Sequence, residues 1–86
     1  MTILNAETVG KAIREAREEK GLSQEALSSF AGIGRIHLSA IERGHRKPTL
    51  ETFFRLSEAL DMPASDLVKR IEQELAKENE IFSEPQ

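Results

Sequence analysis

Between Ser23 and Gly44 the sequence "SQEALSSFAGIGRIHLSAIERG" reads as two short helical runs, parted by Gly32 and closed by Gly44. Each run is about two turns long at about 3.6 residues per turn. Helices of that length are not stable alone in water, because too few hydrogen bonds repay the cost of nucleation. Other elements must therefore hold both in place. That requirement constrains the fold more than any other feature of the chain.

The flanking sequence offers such a scaffold. From Asn5 to Lys20 the apolar residues Val9, Ala12, Ile13 and Ala16 recur at helical spacing, with Asn5 as a possible N-cap and Gly21 as a left-handed stop. In the second run Ala26, Leu27, Phe30 and Ala31 form the expected buried stripe, and Glu25 suits the N-terminal end of the helix dipole. The third run begins near Arg35 and turns Ile33, Leu38 and Ile41 inward. Thr49 caps a fourth run that carries Leu50, Phe53, Phe54, Leu56 and Leu60, and Asp61 stands where the chain must reverse. Pro63 fits the first turn of a fifth helix striped by Leu67, Val68, Ile71 and Leu75. No sustained apolar/polar alternation marks a strand. The expectation is an all-α fold of five helices, with residues 1–78 as a single domain, the helical pair at about 24–43, the last helix at about 64–78 and a C-terminal tail at 79–86.

An 86-residue chain suits one domain with a modest core. It has no cysteine, which removes disulfides, thiolate metal sites and cysteine nucleophiles. His37 and His45 are the two histidines, but Gly44 breaks the helix between them and no further ligands cluster nearby, so neither a metal nor a cofactor is expected. No constellation for catalysis stands out, and an enzyme is the least favoured reading. No run approaches the roughly 18 apolar residues of a membrane span. The N-terminal residues lack a basic segment followed by an apolar one, so the protein is expected in the cytoplasm with no membrane partner.

The net charge of -3 hides an uneven distribution: residues 1–49 carry +2 and residues 50–86 carry -5. Within Gly32 to Pro48, Arg35, Arg43, Arg46 and Lys47 face a single acid, Glu42. A local basic footprint is what a nucleic-acid surface requires, and acid elsewhere does not forbid it. A tight helical pair with a basic second member is also the arrangement that inserts a helix into a DNA major groove.

These residues carry a resemblance. "LSQEALSSFAGIGRIHLSAIERGHRKPTLETFFRLSEAL" resembles the lambda-repressor-like helix-turn-helix family, also called Cro/CI or XRE type, over about residues 9–68. The ending "ALDMPASDLVKRIEQELAKEN" looks most like the controller proteins of restriction-modification systems. The resemblance implies a bacterial or phage-encoded transcriptional regulator acting as a homodimer on a double-stranded, pseudopalindromic operator, with RNA polymerase as a further partner. An antitoxin or prophage-type regulator that mainly covers a protein partner is the alternative.

On this resemblance the third helix presents Gly34, Arg35, Ile36, His37, Ser39 and Ala40 to the groove. Arg35 has the donor fork for guanine O6 and N7, and Ile36 can press on a thymine methyl; the other reading of Ile36 is extra core. His37 is either a phosphate or base-edge donor or an idle surface residue. Phosphate contacts fall to Gln24, whose place in the family is a backbone clamp, and to Arg43, His45, Arg46 and Lys47; a solvated turn is the other reading of Arg46 and Lys47. Glu42 is assigned an ion pair with Arg14 or Arg17. Gly34 lacks the side chain of a usual cap, and Ala40 shortens the reading face, so DNA shape is expected to assist recognition.

The stripe Leu67, Val68, Ile71 and Leu75 is longer than a five-helix core needs, with Ile81 and Phe82 as further apolar surface. It is therefore the candidate dimer interface; cover for the first and fourth helices is the competing reading.

Overall fold

A computed structural model describes residues 4–82, and side chains up to Glu78. Five helices follow in order: α1 Ala6–Glu19, α2 Gln24–Ala31, α3 Arg35–Glu42, α4 Leu50–Ala59 and α5 Ala64–Phe82. No strand occurs among the described residues, and no helix in this set is long and apolar enough to cross a membrane. The last helix runs four residues beyond its expected end at 78. The expected apolar contribution of Ile81 and Phe82 lies outside the described side chains.

Local chemistry fixes the helix starts. Asn5 Oδ1 accepts from the Glu7 N–H, Ser23 Oγ from Ala26 and Thr49 Oγ1 from Thr52, so three helices have side-chain N-caps. At α3 Gly34 supplies the extended N-cap backbone without any side-chain bond, as its lack of a side chain requires. Gly32 ends α2 at φ 71°, a left-handed conformation that other residues resist, and this lets α3 leave at once in a new direction. Asp61 takes the corresponding role between α4 and α5 at φ 57°, which a short polar side chain tolerates.

One core serves all five helices. Val9, Ala12, Ile13 and Ala16 of α1 meet Leu27 and Ala31 of α2, Leu38 and Ile41 of α3, Phe53, Leu56 and Leu60 of α4, and Leu67 and Ile71 of α5. The short helices are thus held from both sides, as their length demands. At the α1–α3 crossing Gly10 lies directly beneath the Ile41 and Glu42 carbonyls. Ser28 is buried too, with its hydroxyl donating to the Glu25 carbonyl. Along the outer edge α1 and α5 are laced by polar pairs: Lys11 with Glu74 at 3.1 Å, Arg70 bidentate on Glu19 at 2.7 and 2.8 Å, and the Thr8 hydroxyl donating to Glu78. The Arg70 hydrogen bonds lower the Glu19 pKa, and the Lys11 bond lowers that of Glu74.

Three large apolar residues of the second and fourth runs point outward. Phe30 is 67% exposed, Leu50 74% and Phe54 50%. Periodicity assigned Phe30 to a buried stripe, but α2 is packed by α3 and α4 on the Leu27–Ala31 side. On α4 the buried face is filled by Phe53, Leu56 and Ser57. Leu50 and Phe54 stand one turn apart on its flank.

Candidate nucleic-acid interface

The N-terminus of α2, the outer face of α3 and the loop after α3 form the candidate surface. Leu38, Ile41 and Glu42 are the buried residues of α3. At about 100° per residue this turns Ile36 away from the core, whereas Arg35 is free because it opens the first turn of α3, beyond the helices that cover Leu38 and Glu42. Both are exposed, Ile36 to 78%, which removes the reading of Ile36 as extra core. His37, Ser39 and Ala40 are half-buried along the same helix, and Ile33 packs against the core as expected. Arg43, His45, Arg46 and Lys47 are all exposed. Arg43 Nε donates to the Ser39 carbonyl at 3.3 Å, so its guanidinium lies back along the last turn of α3.

Beneath this surface lies one buried ionic group. Glu42 is 4% exposed. Its partner is Arg17, not Arg14: Arg17 Nε donates to Oε2 at 2.7 Å and a terminal nitrogen to Oε1 at 2.9 Å. The other terminal nitrogen donates to the Leu22 carbonyl at 2.9 Å. Arg14, by contrast, is exposed on α1. The bond to Glu42 raises the Arg17 pKa, so the guanidinium stays charged beside the carboxylate. Gln24, the first residue of α2, donates from Nε2 to Glu42 Oε1 at 3.0 Å. The ion pair was legible in the sequence as a choice between two arginines; the Gln24 bond was not, because nothing in the sequence brings the start of α2 to the end of α3.

The matches to known proteins agree with this geometry. The Helix-turn-helix family pattern covers residues 13–67. The chain belongs to the XRE-type helix-turn-helix family. Among relatives in this family, the HTH-type transcriptional regulator y4dJ of Sinorhizobium fredii is 40% identical over 60 residues, 70% of this chain and 78% of that protein. Control protein C.SmaI of Serratia marcescens is 33% identical over 64 residues, 74% of this chain and 76% of its own length. The crystal structure of the restriction-modification controller protein C.AhdI from Aeromonas hydrophila superposes with a TM-score of 0.72 at 35% identity, covering 76% of this chain and 98% of that one.

Within this helix-turn-helix fold the expected dimer stripe needs correction. Leu67 is completely buried and Ile71 is 7% exposed, because both fill the protomer's own core. Only Val68, at 43%, and the half-buried Leu75 keep surface outward. They border an open apolar groove of about 330 Å³ whose walls include Leu4, Pro48, Leu50 and Phe53. The apolar surface therefore lies between α4 and α5 rather than along α5 alone. A sequence signal for it existed: α4 carries more large apolar residues than one buried face can hold.

Proposed function

We propose that the protein is a DNA-binding transcriptional regulator that acts as a homodimer, with α3 in the major groove of each half-site. The observation that carries this reading is the exposed Arg35–Ile36 pair on α3, set between Gln24 at the start of α2 and the cationic loop Arg43 to Lys47. Arg35 and Ile36 supply direct readout of guanine and thymine, with His37, Ser39 and Ala40 beside them. Gln24, Arg43, His45, Arg46 and Lys47 hold the phosphates on either side. With few long polar side chains on α3, operator deformability supplies part of the specificity. Half-sites about 34 Å apart match two copies related by a two-fold axis. The finer reading is a restriction-modification controller in the cytoplasm, with RNA polymerase as the partner it admits or excludes.

Binding to DNA from the chain's own upstream region, followed by fluorescence anisotropy across a salt series, tests this. Arg43, Arg46 and Lys47 from two protomers give a slope of log K against log salt near about -5. A flat response would refute the DNA reading. Arg35→Ala should weaken operator binding by about 1–3 kcal/mol and leave random DNA little affected, whereas Lys47→Ala should weaken both alike.

The dimer is proposed on the α4–α5 apolar surface, where Leu50, Val68 and Leu75 remain exposed or partly so. A second copy burying them removes an apolar patch from water. Val68→Asp, which leaves the protomer core untouched, should yield a folded monomer by light scattering and bind operator at least about tenfold more weakly. A wild type that stays monomeric at high concentration would sink this part of the reading.

A further inference from the structure

Glu42 is the single acid in the basic stretch from Gly32 to Pro48. Pairing with Arg17 accounts for its charge but not for its third contact. Oε1 accepts from Gln24 as well as from Arg17, so one buried oxygen joins α1, α2 and α3. An ionised carboxylate accepts hydrogen bonds and donates none. The Gln24 amide must therefore turn its nitrogen toward Glu42, and its carbonyl cannot take that place. That contact fixes the polarity of an amide that would otherwise be free to rotate at the first position of α2. One N–H is used at 3.0 Å, and the amide nitrogen keeps a second N–H to donate.

We propose that Glu42 is a positioning residue for phosphate recognition: it holds the Gln24 amide with its nitrogen oriented so that the remaining N–H is presented at the N-terminus of α2. The inference rests on the DNA reading above. A phosphate oxygen, like a carboxylate, only accepts, so an amide held in this polarity meets it with a donor, whereas a freely rotating one presents its carbonyl part of the time. Arg17 neutralises Glu42 through two hydrogen bonds, so the carboxylate can lie beside a phosphate site without repelling the anion. The three torsions of the glutamine are restrained when the protein folds rather than when DNA arrives, which is preorganisation in its ordinary sense. The same contact links the end of the reading helix to the clamp, since Glu42 closes α3 and Gln24 opens α2.

A double-mutant cycle on the full chain tests this, using a duplex recovered from a random pool with the wild type. Gln24→Ala should weaken binding about tenfold, the scale of a hydrogen bond to a charged group. Glu42→Gln should weaken it by a similar factor, and the double variant should be no worse than Gln24→Ala, at a temperature where circular dichroism shows all four proteins folded. Equal losses from Glu42→Gln with and without Gln24 would overturn the positioning role. Unchanged binding by Gln24→Ala would instead remove Gln24 from the DNA reading. Should Glu42→Gln fail to fold, nuclear magnetic resonance of the wild type decides: the Gln24 side-chain amide should relax as an ordered group, unlike that of the exposed Gln73. A Gln24 amide as mobile as that of Gln73 would overturn the proposal.

Discussion

A Gly10→Ala protein should melt about 10 °C or more below the parent, although the substitution lies inside a helix where alanine is normally the better residue. Helix propensity favours the change by about 1 kcal/mol. Against that, the added methyl group would overlap the Ile41 carbonyl oxygen and come within 2.7 Å of that of Glu42. Both are backbone atoms of the last turn of α3, and no rotamer change relieves the overlap. The α1–α3 crossing has to open, and overpacking of this kind costs about 1–3 kcal/mol and sometimes more. Overlap with two fixed backbone carbonyls belongs at or above the top of that range, so after the propensity gain the net loss is expected at about 2 kcal/mol or more, with about 4–8 °C per kcal/mol in a domain of this size. Thermal unfolding by circular dichroism measures it. Because the displaced element is the helix proposed to enter the major groove, operator affinity should fall even at temperatures where the variant remains folded. An unchanged or raised melting temperature would show that the two helices do not cross this closely.

Arg17→Ala should cost still more, about 3–5 kcal/mol, because it leaves a buried carboxylate without its cation. Glu42 has a side chain only 2% exposed and Arg17 one of 12%, so water cannot replace the lost partner. Gln24 alone would remain on the carboxylate, and the Leu22 carbonyl would lose its donor. Replacing both residues, as in Arg17→Met with Glu42→Leu, should be less destabilising than Arg17→Ala alone, since the double change removes the buried charges together. Denaturant unfolding of the three variants tests the order. If the single variant proved the more stable, the pair would not be acting as a buried ionic unit. Arg70→Ala makes the contrast. The Arg70–Glu19 side chains are 36% and 59% exposed, so solvent screens the pair and its loss should shift stability far less than loss of Arg17, despite an equally short contact.

These two sites also differ in how far the sequence disclosed them. Arg17 was one of two arginines on the correct helix, and the choice between them depended on the rotation of α1 over α3. Gly10 carried no signal: within a helical pattern it reads as a weak position, and only the crossing carbonyls explain it. Element boundaries were far more legible. Asn5, Ser23 and Thr49 cap as their chemistry suggests, and Gly32 turns where a left-handed residue is needed, because these are interactions among residues a few positions apart.

Apolar periodicity was a less complete guide. It placed Leu27, Leu38, Ile41 and Leu56 in the core, and they are there. It also placed Phe30 there, which faces out, and it did not separate the outward Leu50 and Phe54 from the buried Phe53 and Leu56 of the same run. A repeat of three and four residues defines a stripe along a helix but not its width, which depends on how many neighbours pack over it. The same limit explains why Leu67 and Ile71 entered the dimer stripe although the protomer consumes them. For the candidate DNA surface, the residue types and their clustering were visible in sequence, and the family resemblance set Arg35 on the outer face. The fate of Ile36 was settled only when α1 and α2 were seen to occupy the opposite side.

By itself, then, the sequence determined what local chemistry can determine: five helices, their caps and turns, and a basic segment on the third helix and the loop that follows it. Tertiary structure alone decided which apolar residues remain at the surface, which arginine neutralises Glu42, why position 10 admits no side chain, and that Gln24 meets the end of α3. The physical reason is range. Capping and turn formation involve neighbours in the chain, whereas burial, close backbone approach and the sharing of one carboxylate by three helices depend on crossings that no short stretch of sequence encodes.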